Sequence, residues 1–255
     1  MRTFVYTLLM YLFAFVAIDT VSSIVIYFMK YYLLRGEEAN FVNGTLLVAQ
    51  VISLPFYVWL SKRTSKRTGY ITGALIWMVI MLFSFLLVPG APAFLVYAFA
   101  AIVGFGTGGI VIMIYAIFPD IPDVDELKSG ERREGIYSAL VTFMRKLSSA
   151  LALFMVSNTI FLAGYVQPLE GVIDGATQLV EQPQPGAFLL ALRLIFALVP
   201  VILLAVALVF AARFPLTPDA HERLRRVLAA RRSGKPETDE MRQEAQDLSR
   251  LLIGG

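Results

Sequence analysis

Six apolar runs, each long enough to cross a bilayer as a helix, constrain this chain more than anything else in it. A hydrocarbon core of ~30 Å takes about 20 apolar residues at 1.5 Å per helical residue. Six segments reach that length: 4–29, 40–60, 70–88, 93–118, 136–164 and 187–212. None alternates with period two, which disfavours a membrane β-barrel. The fold class expected is therefore all-α, a polytopic six-helix membrane bundle over 1–214, followed by an amphipathic tail over 215–255. The chain is 58% hydrophobic and only 16% charged, so the excess apolar content sits in the runs rather than in one large soluble core. The first run is too long for the apolar core of a signal peptide and is read as a mature span.

Charge sorts the connections. "SKRTSKRTG" between runs two and three carries Lys62, Arg63, Lys66 and Arg67 without an acid. Lys128, Arg132 and Arg133 lie between runs four and five, and Arg213 with eight further cations follows run six. "PGAP" is uncharged, and the 165–186 loop holds Glu170, Asp174 and Glu181 with no cation. Lys30 and Arg35 alone oppose the trend. The positive-inside rule then places both termini and the basic loops in the cytoplasm of an inner or plasma membrane. A net charge of +3, mostly local, speaks for membrane orientation and against nucleic acid. With no cysteine and only His221, thiolate chemistry, a zinc centre and a Ser/His hydrolase are all disfavoured, so neither a metal nor an enzymatic cofactor is expected.

Against that background, "GERREGIYSALVTFMRKLSSAL" (130–151) is anomalous, because Arg145 and Lys146 stand where lipid-facing residues belong. Asp19 lies about fifteen residues into the first run, and both Asp19 and Lys146 come out roughly 20 Å from the inner surface. A charge at that depth costs at least ~2.5–3.5 kcal/mol, so it faces a partner or a wet cavity. Asp19 and Lys146 either neutralise each other between helices or line a translocation path, and the cavity is the preferred reading. Arg145, about 100° around the helix, is read as a structural cation bonding helix ends or snorkelling, with Arg193 doing likewise or lying at the interface.

"GFGTGGI" places Gly104 and Gly108 four apart, a small-residue face for close helix packing with a secondary hinge role. No strand precedes it, so it is no nucleotide loop. Pro55 and Pro200 fall inside runs and should kink them. Tyr27, Tyr31, Tyr32 and Trp59 suit interfacial belts. In the tail, Thr217 and Pro218 suit a helix start, a break is expected at 233–236, and Met241, Ala245, Leu248 and Leu252 share one helical face. That tail is read as lying on the membrane or on the protein's own cytoplasmic face. No internal repeat is visible. Asp120, Asp123 and Asp125 do not have calcium-loop spacing, and the mixed charges of Asp120, Asp123, Glu126, Arg132, Arg133 and Glu134 suit a salt-bridged cytoplasmic gate.

"DIPDVDELKSGERREGIYSALVTFMRKLSSAL" resembles the signature before and within the eleventh helix of the glycoside–pentoside–hexuronide:cation symporters, the melibiose permease-like branch of the major facilitator superfamily. The matching positions are Asp120, Asp123, Glu126, Lys128, Gly130, Arg132, Arg133, Glu134, Gly135 and Lys146; Val124, Glu131 and Ser65 depart from the usual residues. "LSKRTSKRTGY" and "FPLTPDAHERLRRVLAARR" are similar to that family's basic loop and tail. The resemblance implies the C-terminal six of twelve spans, a small sugar or glycoside substrate, Na⁺ or H⁺ as coupling cation, and Lys146 near substrate or cation. It implies a partner as well, an N-terminal six-helix half or a second copy. The alternative is a non-transporting membrane module, a remnant or regulatory half, that only binds a partner protein.

Overall fold

A computed structural model of the chain describes residues 1–173, 176–233 and 238–254. Asp174 of the acidic loop and Pro236 of the expected tail break lie outside them. The helices are α1 (Arg2–Tyr27, continued by a π-helical turn Phe28–Tyr32), α2 (Ala39–Arg63), α3 (Lys66–Phe83) and α4 (Ala93–Ile117). There follow α5 (Ile121–Ser129), α6 (Glu134–Leu162), α7 (Gly186–Ala212), α8 (Pro218–Arg232) and α9 (Asp239–Leu252). Between α6 and α7 stand β1 (Leu169–Ile173) and β2 (Ala176–Val180), an antiparallel hairpin pairing Leu169 with Val180 and Ile173 with Ala176. This hairpin adds to the all-α expectation; it lies in the connection between two spans, where the rule that only helices or closed barrels cross hydrocarbon does not apply.

Six helical stretches among the described residues are long and apolar enough to cross a membrane, and they coincide with the six runs. Local chemistry sets their limits. Ser65 caps α3 by accepting from the Thr68 amide at 2.9 Å. Thr217 caps α8 by accepting from the Ala220 amide, with Pro218 in the first turn. Gly130, at φ 73°, closes α5 in the left-handed conformation that a side chain would resist. α2 and α7 continue through Pro55 and Pro200.

The spans form a ring in the order α6, α1, α7, α3, α4, α2. Its two end members, α2 and α6, have no packed interface with each other, and each leans on one main neighbour, α4 and α1 respectively. Exchanging α1 with α4, α2 with α6 and α3 with α7 leaves this neighbour order unchanged. Three spans are an odd number, so the second trio enters from the opposite side and the repeat is inverted. The sequence shows no such repeat; it exists in the packing.

Gly104 and Gly108 let α2 approach α4. A Cβ on Gly104 would run into the Leu46 carbonyl, and one on Gly108 into the Ser53 hydroxyl. α8 and α9 fold back beneath the ring against α5, burying Leu224, Val227, Leu228, Ala245, Leu248 and Leu252. The Arg2 amide donates to the Ile253 carbonyl at 2.9 Å and the Thr3 hydroxyl to the Leu252 carbonyl at 2.6 Å, so α9 ends on the first turn of α1. At the opposite end Lys30 and Tyr31 both hold Glu181, and Tyr31 also meets the Tyr165 hydroxyl at 2.8 Å, tying the hairpin loop to α1.

Gly104→Val is expected to push α2 off α4 and destabilise the bundle by about 1–3 kcal/mol. Gly44→Ala, where the added methyl meets open space, should leave the melting temperature in detergent unchanged or higher. The Lys30 hydrogen bond, then that of Tyr31, holds the Glu181 carboxyl below its ordinary value. A depressed folded-state value means that the contact contributes above the ordinary carboxylate range and fades as pH falls through it. Amide exchange in 165–186 should therefore be flat from pH 8 to 6, after correction for intrinsic rate, and rise below about pH 4.

Candidate functional site: a polar face inside the membrane

On α1, Tyr11, Phe15 and Asp19 follow one another at four-residue spacing and so share a face. Asp19 accepts from Arg145 Nη1 at 2.5 Å, from Arg145 Nη2 at 2.9 Å and from the Ser149 hydroxyl at 2.7 Å. Ser149 sits one turn beyond Arg145 and also accepts from it at 2.8 Å. The Arg145 guanidinium lies 5.0 Å from the Phe15 ring centroid, a cation–π contact. The Tyr11 hydroxyl meets that of Tyr115 on α4 at 3.3 Å. One face thus joins α1, α4 and α6 through a carboxylate, a guanidinium and three hydroxyls.

This excludes the alternative in which Asp19 and Lys146 neutralise each other and corrects the reading of Arg145. Asp19 is matched by Arg145, not by Lys146, and Arg145 bonds a side chain rather than a helix end. The reason is rotation: one residue turns 100° on a helix, and Arg145 is the one beside the stripe of Met144, Ser148, Ala152 and Val156 that packs on α1. Lys146 is exposed and makes no ion pair or hydrogen bond with the described residues. It shares a polar sector of α6 with Thr142, 40° away, and Ser149, 60° away. Arg193 donates to the Phe85 carbonyl at 3.2 Å and lies over Tyr32 and Phe85, so it closes the end of α3.

At the basic end a groove of about 410 Å³ opens between α4 and α6, lined by Tyr115, Pro119, Arg132, Glu134, Tyr137 and Ser138 among others. Tyr115 links it to the Asp19 cluster. The residues expected to form a gate do meet, but within this bundle. Lys66 Nζ reaches Asp120 at 2.5 Å, Arg132 reaches Asp123 at 3.1 Å and Glu134 at 2.5 Å, and Arg133 forks onto Asp125 at 2.9 Å. Arg232 of the tail grips Glu126 and approaches Asp123 at 3.6 Å. The acid run is thus a bracket for arginines, and no group of three His, Cys, Asp or Glu side chains among the described residues could hold a metal. Sequence reasoning missed Arg232, Asp125 and Ser149 as partners. The four-residue spacing from Arg145 to Ser149 was the available signal.

Asp19→Asn and Arg145→Gln should each lower the melting temperature, the double variant less than the two losses together. A coupling of roughly 0.5–3 kcal/mol in that cycle checks the pair.

Comparison with known proteins agrees with this geometry. Residues 1–218 match the family described as MFS/sugar transport protein. An uncharacterized symporter of Synechocystis is 30% identical over 240 residues, 90% of this chain and 41% of that protein. An isoprimeverose transporter of Lactiplantibacillus pentosus is 29% identical over 185 residues, 70% of this chain and 38% of the relative. A putative sulfoquinovose importer of Salmonella typhimurium is 32% identical over 148 residues, 56% of this chain and 30% of the importer. The chain spans about two fifths of the length of the first of these relatives. It is a multi-pass membrane protein and belongs to the MFS/sugar transport family, whose members are carriers rather than enzymes.

Proposed function

We propose that this chain is one half of a secondary active transporter that moves a sugar or glycoside together with a cation by alternating access. The observation that carries this reading is the unfilled polar face. Asp19, Arg145 and Ser149 satisfy one another, yet Lys146 beside them has no partner among the described residues, and the ring is open on the α2–α6 side. Left against acyl chains, an unmatched ammonium would cost ~2.5–3.5 kcal/mol or more. A second six-helix bundle, an N-terminal half or a second copy of this chain, would convert that face into a water-lined cavity. Halves related by an axis along the membrane normal make such an enclosure. Isoprimeverose and sulfoquinovose, named for two relatives, support a sugar as the solute.

In this arrangement Lys146 and the Asp19–Arg145 pair line the cavity. The bracket of Asp120, Asp123, Glu126, Arg132, Arg133 and Glu134 closes the cytoplasmic side, the side assigned by the basic loops. Gly104 and Gly108 let α2 slide on α4 as the bundle rocks.

The test is uptake of a labelled glycoside in cells or liposomes containing the chain alone, or with a candidate N-terminal half. Accumulation should require the Na⁺ or H⁺ gradient and the second bundle. Lys146→Ala should reduce it at least about tenfold, a loss of ~1.4 kcal/mol. Equal uptake by wild type and Lys146→Ala removes the cavity assignment, and no gradient dependence removes symport.

A further inference from the structure

We infer that a second, separate site lies on the back of the ring and holds the phosphate of an anionic phospholipid. A cavity of about 190 Å³ opens at the basic end between the α2–α3 turn, the end of α4 and the α7–α8 link. At ~30 Å³ per water it has room for about six waters, hence for a tetrahedral oxyanion. Its polar walls are Lys62, Lys66, Arg67, His221, Asp120 and Thr217.

The charges there do not cancel. Lys66 bonds Asp120 at 2.5 Å and the Ala116 carbonyl at 2.8 Å, which leaves one of its three N–H groups. Arg67 donates to the Ala212 and Phe214 carbonyls; these neutral acceptors orient the guanidinium without compensating its charge. Lys62 is exposed and has no partner among the described residues. The Thr217 hydroxyl accepts from the Ala220 amide and keeps its own proton to donate. Three fixed cations thus face a single carboxylate, and His221 Nε2 stands 3.6 Å from that same carboxylate. The site therefore carries a net positive charge.

Its position selects the source of the anion that would match this charge. Lys66 opens α3 and Ala212 closes α7, so the cavity lies where two spans leave the hydrocarbon. Trp59, one turn before Arg63 and 5.7 Å from its guanidinium, marks the same headgroup level. α3 and α7 are the middle members of the ring, opposite the open α2–α6 side, so a bundle docked on that side leaves the cavity facing lipid. Ile117, Phe214 and Leu216 give it an apolar wall suited to the glycerol end of a phosphodiester. Cationic pockets at this level bind anionic headgroups in membrane proteins generally. The inference needs the bilayer placement alone and stands apart from the transport reading.

The test uses the chain purified in detergent, exposed to equimolar phosphatidylglycerol and phosphatidylcholine and read by native mass spectrometry. Phosphatidylglycerol should be retained preferentially. Lys62→Glu, at an exposed position away from the core, should lower that retention about fivefold or more. Arg225→Glu, an equal change of charge on the exposed side of α8, should leave it unchanged. Equal retention of the two lipids, or a Lys62→Glu variant that retains phosphatidylglycerol like wild type, overturns the site. Displacement of the lipid by millimolar inorganic phosphate assigns the cavity to free phosphate and overturns the lipid as its occupant.

Discussion

Hydrocarbon supplies neither a counter-charge nor a hydrogen bond, so a carboxylate placed deep in a transmembrane helix dictates what must stand opposite it. Asp19 imposes that demand, and Arg145 with Ser149 meets all of its near partners. The consequence reaches beyond one ion pair. α6 buries only a narrow stripe against α1, namely Met144, Ser148, Ala152 and Val156, and most of its remaining surface is open. That stripe turns Arg145 towards α1. The forked contact with Asp19 holds that rotation, which also aims Lys146 along the polar sector beside Thr142.

The two ends of the ring occupy equivalent places and use different chemistry. α2 is drawn onto α4 by backbone proximity at Gly104 and Gly108, a contact built from small residues and dispersion. α6 meets α1 through the fully buried small residues Ser148 and Ala152 and, in addition, through the Asp19–Arg145 pair. Both end helices expose large apolar residues, Val48, Val51 and Ile52 on α2 and Phe143, Leu153 and Phe154 on α6, and α6 adds the exposed Thr142, Lys146 and Ser157. An inverted repeat therefore frames the face, and divergence within the repeat places the half-buried ion pair at one end of it only.

Span number and positions were legible in the sequence because a 20-residue apolar run has one stable solution in lipid. The cap at Thr217 was legible because donor and acceptor are three residues apart; the cap at Ser65, equally local, was not read from the sequence. The identity of Asp19's partner was not legible. Depth along a helix can be counted from sequence, but which of two adjacent cations faces inward depends on helix rotation, and that follows from packing between segments 126 residues apart. The tail showed the converse. Its apolar face at Ala245, Leu248 and Leu252 was visible, while the surface it covers, α5 and the first turn of α1, was not. The inverted repeat was invisible in sequence because neighbour order, not residue identity, carries it.

The meeting of Arg2 with Ile253 and of Thr3 with Leu252 fastens α9 to α1 without a covalent bond. The aligned dipoles of α9 and α1 run head to tail across that fastening. A tilt of the first helix would then load α5 by way of the tail as well as through its direct contact with α5, without passing through the three spans α2, α3 and α4.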